Sequence, residues 1–589
     1  MTITANYPTV KPSLILDFTK GQALDPRISF SRAASSAYYY DGKTSVLAEQ
    51  NLIFPSQVLT NATYWIPVNS TPTGNSTTAP DGTTTANTIT DNATNGQHRV
   101  YQGGGNLSSA TALTASAYFL QGTGTFGQLG LYDGSAYRTV TANLSTGVIT
   151  ETFGTATSTI TALSGGWYRL TLSFTGGSSN ATLSVGLSNT GTPNGLASYV
   201  GTGSTIYAWG AQLEQRSSAT AYNATTTSAI TNYIPQLQSA GTNIPRFDYN
   251  PATGESLGFL IEQASTNLIL YSSNATQTGW ASGSVSITAT ANIAPDGTQT
   301  AQRLVEDTST GVHRVQTALN SYSGTYTASI YAKAYGTNRR LSINTNAILG
   351  TGIVYFDLVT GTVASGTGTI TAVGNGWYRC SVTGTGTGTS NWVYYEIATT
   401  ANSDSYTGDG WSGIYIWGAQ LEALANSTSY IPTTGAQATR AQDSATIAGT
   451  NFSSWYNQGQ GTFYVNFSRI NTGSATAYPA LFTTDTLLEF ADGTYEVIKS
   501  NPANIQYSAS SVTKSERKSI FAYSPSVGIA SAIDGGNYLS NSSAPITNKS
   551  TTYFTFGGVA GGNVGSNYIK KIAYYPQALT QAQLQSLTG

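Results

Sequence analysis

Charge is scarce in this chain: Asp, Glu, Lys and Arg make up 9% of its 589 residues, against about a quarter in an ordinary soluble domain. The 25 basic and 27 acidic side chains leave a net charge of −2, which argues against the basic face that nucleic acid or anionic lipid would require. A single cysteine, Cys380, rules out an intrachain disulfide framework. It reads instead as a small buried apolar residue, because Leu170 holds the matching place in a repeat described below. Two histidines, with no H-E-x-x-H and no Cys cluster, cannot complete a recognisable metal motif. No run of about 18 apolar residues occurs, and the start, MTITANYPTVKPSLILDF, lacks a basic region followed by an apolar stretch. The expectation is a chain that neither spans a membrane nor is exported by a signal peptide.

What the sequence does hold is aromatic area and repetition. With 38 Tyr, 18 Phe and 9 Trp there is ample apolar surface to bury, and the length calls for three or four domains. "GWYRL" around Trp167 returns as "GWYRC" around Trp377. "NLI" at Asn51 returns at Asn267, "APDGT" at Ala79 returns at Ala294, and "HRV" at His98 returns at His313. "IYAWGAQLE" from Ile206 to Glu214 returns as "IYIWGAQLE" from Ile414 to Glu422. The chain therefore contains two copies of one domain. Val-, Ile-, Tyr- and Thr-rich stretches such as "YTASIYAKA" and "NWVYYEIAT" predict strands. Asp-Gly pairs at Asp41, Asp81, Asp133, Asp296, Asp409, Asp492 and Asp534 predict tight hairpins. The fold class expected is all-β: tandem jelly-roll β-sandwiches plus a C-terminal lectin-like sandwich.

Matched residues read mainly as packing, since two cores diverge less readily than two binding sites. This covers Trp167, Trp377, Trp209 and Trp417, with Arg169 and Arg379 expected to lie over neighbouring rings. Aromatics that read as unmatched are the candidate glycan contacts: Trp392, Tyr394, Tyr395, Trp411, Tyr331 and Tyr335 of copy two, with Tyr118 and Tyr137 of copy one. Sugar rings have apolar faces that stack on Tyr and Trp, and their hydroxyls suit Asn, Thr and Gln. His98 and His313 read as structural, and Glu306 beside Asp307 makes a poor catalytic pair because neighbours on a strand point to opposite faces. No catalytic residue is assigned. The matched acids Asp81, Asp296, Glu214 and Glu422 are candidate oxygen ligands for a structural calcium, with hairpin and salt-bridge roles as the alternative.

"SRAASSAYYYDG" before copy one, "PRFDYNPATGESLGFLIE" between the copies and "YIPTTGAQATRAQDSATI" after copy two resemble a modular arrangement of tailed-bacteriophage virion proteins. The end, "NYIKKIAYYPQALTQAQLQSLTG", resembles the last strand and closing helix of concanavalin- or laminin-G-like domains in such proteins, with Thr580 and Gln583 as a capping box. The resemblance implies five parts: 1–48, a virion-attachment segment; 49–235, the first carbohydrate-binding-module-like repeat; 236–264, a connecting β segment packing with 1–48; 265–445, the second repeat; and 446–589, the concanavalin-like domain. It implies a non-enzymatic protein of the virion surface, made in the host bacterial cytoplasm. The reading is a tail fibre or adhesin binding host-surface polysaccharide, or alternatively a passive head or tail decoration protein. Its partners are expected to be other virion proteins, a host glycan and further copies of itself, as a trimer. No cofactor is required; a structural calcium is the exception that sugar-binding sandwiches suggest.

Overall fold

The computed structural model describes residues 8–39, 43–106, 112–175, 180–220, 222–318, 323–335, 339–387, 392–470, 477–482, 486–491, 495–500, 503–507, 516–536, 538–542, 552–557 and 566–589. The fold is all-β, with antiparallel strand pairs throughout the described sheets. In copy one, the strand Tyr168–Thr175 buries Leu170, Leu172 and Phe174 and turns Arg169, Thr171 and Ser173 outward, the two-residue period of a half-buried strand. It belongs to a six-stranded sheet with Thr157–Ala162, Ala112–Gln121, Thr205–Glu214, Ala86–Asp91 and Ser70–Thr77. A second six-stranded sheet closes the core from Val148–Phe153 across to Ile66–Val68. Copy two repeats both strand orders, its first sheet running from Thr369–Ala372 through Trp377–Thr387, Ser323–Tyr335, Gly413–Glu422 and Ala301–Glu306 to Val285–Asn292.

The repeated "WGA" has a local cause. Ala112–Gln121 shifts register against Thr205–Glu214 between Ser116 and Tyr118, and the matching strands of copy two shift between Ser329 and Tyr331. Gly210 and Gly418 meet these bulges with φ of 61° and 64°, and a Cβ on either would stand 2.9 Å from the Tyr118 or Tyr331 ring. Asp-Gly turns also form, with positive φ at Gly82, Gly134, Gly297, Gly410 and Gly535. Among the described Asp-Gly pairs, only at Asp534 does the aspartate itself join its glycine at positive φ; Asp81, Asp133 and Asp296 instead cap the turn through their carboxylates. The expected turns at Asp41 and Asp492 lie outside the described residues.

The third sandwich corrects the expected segmentation. It does not draw on residues 446–589 alone. Its eight-stranded sheet includes Leu14–Asp17, Arg246–Tyr249 and Ser256–Ile261 beside Asn567–Tyr575 and Gly461–Arg469, and its seven-stranded sheet takes in Ser29–Ser31 against Ser444–Ala448. The two copies are thus insertions into this sandwich. Copy one is entered and left through paired strands, Ser36–Tyr39 with Leu237–Ala240 and Ser45–Asn51 with Ile230–Pro235. Ser265–Asn267 pairs with Ala438–Arg440 at the root of copy two. The segment 1–48 is built into the sandwich: Leu14, Leu16, Phe18 and Ile28 lie in its core, and Ser36–Tyr39 packs with the connecting segment through Leu237–Ala240. At the C-terminus, the capping box of Thr580 and Gln583 opens the helix Gln581–Thr588.

At the roots of both insertions the scarce charges gather. The Arg32 guanidinium donates to Asp443 at 3.0 Å, Arg246 bridges Glu262 at 2.6 Å and Asp443, and Arg440 reaches Glu262 at 3.2 Å. All five side chains are at most 1% exposed. Backbone carbonyls of Ala34, Gly241 and Ile244 accept from Arg32, and that of Gln263 accepts from Arg440, so the excess cation is also solvated. Burial raises the Glu262 carboxyl, but the Arg440 and Arg246 guanidinia outweigh it and hold it at about 2. Asp248 goes the other way, pushed up to about 6 by burial despite donors from the Tyr39 amide and the Tyr568 hydroxyl.

Arg246→Met leaves two buried carboxylates short of a cation and is expected to cost about 3–5 kcal/mol, read by chemical denaturation. Deleting residues 1–43 removes Arg32 and a strand from each sheet, so the truncated chain is expected to lose the cooperative unfolding of the sandwich. Glu262, with its folded value below the ordinary 4.5, contributes stability present above pH 4.5 and lost as pH falls toward 2. Glu262→Gln should flatten that acid limb in urea titrations repeated across pH.

Candidate functional site

A repeated cluster lies on the outer face of the first sheet in each copy. In copy one, the Arg169 guanidinium stands 5.3 Å from the Tyr118 ring, which packs edge-on to Trp209 at 5.2 Å; Trp209 in turn meets Tyr222 at 4.5 Å. In copy two, Arg379 stands 5.3 Å from Tyr331, Tyr331 lies 5.4 Å from Trp417, and Trp417 lies 4.4 Å from Tyr430. Tyr118 and Tyr331 are therefore equivalent, which corrects their reading as unmatched. The arginines lie over rings, and the Trp209 and Trp417 indole N–H groups donate to Thr85 and Thr300.

What covers the cluster differs between copies. In copy two, Tyr39 caps it, its hydroxyl donating to that of Tyr331 at 3.2 Å, with Tyr38 and Leu237 alongside. The space left there is 70 Å³. In copy one the same face opens on a cleft of 520 Å³ between the two repeats. Its floor carries Tyr118, Arg169 and the outward hydroxyls of Thr157, Thr159, Thr161, Thr171 and Ser173. Copy two supplies the opposite wall with Ser286, Thr288, Arg303, Tyr335 and Trp411. A second space of 340 Å³ continues past Tyr118, Tyr335 and Trp411 to Trp209, Tyr222, Glu49 and Lys333.

Copy one has small residues where copy two offers its wall. Tyr335, opposite Gly413, holds the place of Gly122, the residue after the Gln121–Ile206 pair of copy one, and Trp411 matches Gly203. Arg303 pairs with Tyr415 as Thr88 pairs with Tyr207. The Arg303 guanidinium lies 4.9 Å from the Tyr335 ring and donates to the Tyr335 hydroxyl at 3.2 Å. Trp411 and Tyr335 are half-buried, so ring surface remains accessible in the cleft. Sequence reasoning missed Arg303 and the threonine rows. Arg303 left a signal, being a charge added in one copy of a charge-poor repeat; the threonines left none.

The other candidates fall elsewhere. Tyr331 is 1% exposed beneath Tyr39 and Tyr395 is 0% exposed in the copy-two core beside Trp280, so neither presents a face to a ligand. Alternation explains Tyr395: Val393, Tyr395 and Ile397 point inward while Trp392 and Tyr394 point out. Tyr394 lies under Arg314 at 4.7 Å, on a sheet away from the cleft. Tyr137 packs with Tyr132 and Arg99 on the second sheet of copy one.

The acids proposed for calcium are used by their own chain. Asp81 and Asp296 accept from the amide and hydroxyl of Thr83 and Thr298. Glu214 accepts from Gln212 and Thr220, and Glu422 from Gln420, Ser265 and Thr428. Burial raises the Glu214 carboxyl. Among the described residues no group of three or more His, Cys, Asp or Glu side chains could hold a metal ion. The four carboxylates serve turns and loops of their own domain. His98 and His313 are buried, each with both ring nitrogens at backbone carbonyls.

No family model matches this chain, and no curated relative does. Among solved structures it is similar to the CBM40 of Ruminococcus gnavus IT-sialidase bound to alpha2,3 sialyllactose, at 13% identity and TM-score 0.19, over 23% of this chain and 84% of that one. It is similar to the tandem CBM22 of Paenibacillus barcinonensis Xyn10C, at 10% identity and TM-score 0.19, over 65% and 98%. Trypanosoma rangeli sialidase matches at 9% identity and TM-score 0.20, over 85% and 82%. At these scores the likenesses carry no argument about ligand or activity.

Tyr395→Ala is expected to cost about 3–5 kcal/mol by opening a core cavity, whereas Trp392→Ala, half-exposed, should cost about 1 kcal/mol or less. Denaturant midpoints of the two variants check the split of these near neighbours.

Proposed function

We propose that this chain is a non-enzymatic surface protein that binds a polysaccharide in the cleft between its two repeats. We place it on a tailed-phage virion, as a fibre or adhesin that contacts the host surface. The observation that carries the binding reading is the asymmetry of the repeated cluster. In copy two Tyr331, Arg379 and Tyr430 enclose 70 Å³, whereas in copy one Tyr118 and Arg169 border 520 Å³ and Tyr118, Trp209 and Tyr222 border the adjoining 340 Å³. There Trp411 and Tyr335 add ring faces on which sugars can stack, and the threonine rows offer hydroxyls for hydrogen bonding. Two walls and an adjoining space suit a chain of sugars better than a compact metabolite.

Binding without cleavage is the reading the lining supports. The larger space is lined by no Asp, Glu or His among the described residues, whereas glycoside cleavage uses two converging carboxylates. In the adjoining space Glu49 is paired with Lys333 at 2.5 Å and Asp81 with Thr83. The virion placement, the virion partners and a trimeric assembly rest on the sequence resemblance. That resemblance is carried by the segments that supply Arg32, Arg246, Glu262, Arg440 and Asp443. A passive decoration role is the second reading, favoured by the burial of Trp167, Trp209, Trp377 and Trp417 for packing alone.

The fluorescently labelled full chain is expected to bind host cells saturably and to be competed by their extracted surface polysaccharide. Trp411→Ala and Tyr335→Ala should each weaken binding about 10- to 100-fold, or about 1.5–3 kcal/mol, with Trp392→Ala unchanged. Folded protein that fails to bind would support the decoration role; binding lost in Trp392→Ala but not in Trp411→Ala would move the site off the cleft.

A further inference from the structure

The cleft is cationic, in a chain that has almost no charge to spare. Two guanidinia line its larger space, Arg169 from the floor and Arg303 from the wall, with no carboxylate beside them in that lining. Neither forms a salt bridge among the described residues. Arg169 donates to the Thr220 carbonyl and the Ser116 hydroxyl, both at 2.8 Å. Arg303 donates to the hydroxyls of Tyr335 and Thr288 at 3.2 and 3.3 Å. All four acceptors are neutral, and a guanidinium carries five N–H donors.

Glu214, fully buried, is held by Gln212 and Thr220, lies 3.9 Å from Arg216 and feels the Arg169 charge as well, so Arg169 is partly balanced from behind the cleft. Glu49 is held by Lys333. Arg138, Arg339 and Arg340, also partly buried, are paired with Asp133, Glu306 and Asp357, whereas Arg99, Arg314 and Arg379 lie over tyrosine rings outside the cleft. Arg303 moreover exists only in copy two, where copy one has Thr88. Arg303, whose hydrogen-bond acceptors are both neutral hydroxyls, gains most from an anionic group entering the recess.

Resting on the cleft reading above, we infer that the ligand is an acidic polysaccharide, its carboxylate groups meeting Arg303 and Arg169 while its ring faces lie on Trp411 and Tyr335. Guanidinium and carboxylate match in geometry and charge, and the low local dielectric of a half-buried cleft strengthens the pair. Neutral sugars would leave Arg303 with neutral acceptors alone.

The test uses the full chain in affinity electrophoresis against alginate, polygalacturonate, hyaluronan and polysialic acid. Each polymer is paired with a carboxyl-reduced form in which the acid is a primary alcohol. At least one acidic polymer should retain the protein ten times or more strongly than its reduced partner, the preference fading as salt rises to 0.5 M by about the screening expected of exposed charge. Arg303→Gln should abolish the preference and Arg303→Lys should keep part of it, with unfolding midpoints confirming that both variants fold. Equal retention of acid and reduced forms, lost in Trp411→Ala, would overturn the acidic ligand and keep the cleft. Retention untouched by Trp411→Ala and Arg303→Gln would overturn both, as would retention by no polymer.

Discussion

The buried charge network of Arg32, Arg246, Arg440, Glu262 and Asp443 is the constraint on which the remaining architecture depends. A chain with 9% charged residues places three cations and two anions out of water at one point, where desolvation costs several kcal/mol per ion unless every partner is in place. The five residues come from three separate stretches of sequence, the ends of the strands that frame both insertions. Such a network adds little net stability over a well-packed apolar substitute. What it supplies here is register: only one alignment of the three stretches satisfies Asp443 and Glu262 together, and a strand slip would strand a buried charge.

From that fixed root the positions of the two repeats follow. The paired strands Ser36–Tyr39 and Leu237–Ala240 leave the root and lay Tyr39 over Tyr331, sealing the aromatic face of copy two. Copy one emerges through the adjacent pair Ser45–Asn51 and Ile230–Pro235, and Glu49 on that pair holds Lys333 of copy two. Its own aromatic face is thereby turned toward the side of copy two that carries Arg303, Tyr335 and Trp411. Duplication supplied the same face twice, and the connecting strands made one a packing surface and the other a cleft.

Much of the fold was legible in the chain itself. Matched "GWYR" and "WGAQLE" segments, strand-rich composition and Asp-Gly pairs give two all-β sandwiches, because local propensity and period agree there. The repeated "GWYR" is answered by packing: its arginine covers the tyrosine that the bulged "WGA" strand accommodates. The discontinuous third sandwich was not legible, since Leu14–Asp17 and Ser29–Ser31 are short and their partners lie hundreds of residues away, where local pattern carries no pairing information. The candidate site was half legible. Trp411 and Tyr335 stood out as differences between copies, but Tyr395 shows that an aromatic in an alternating strand points in or out by parity, which "WVYY" alone leaves ambiguous. The capping of Tyr331 by Tyr39 is a contact between distant segments, and nothing local announces it.

Hydrogen exchange on the full chain, with and without a retained polysaccharide, tests the central claim most directly, because it reports where the ligand sits without altering any residue. The account predicts added protection in 157–175, 217–220 and 286–303, the two walls of the cleft, with the outer face around Trp392 and Tyr394 unchanged. Protection confined to that outer face, or to the third sandwich, would contradict it.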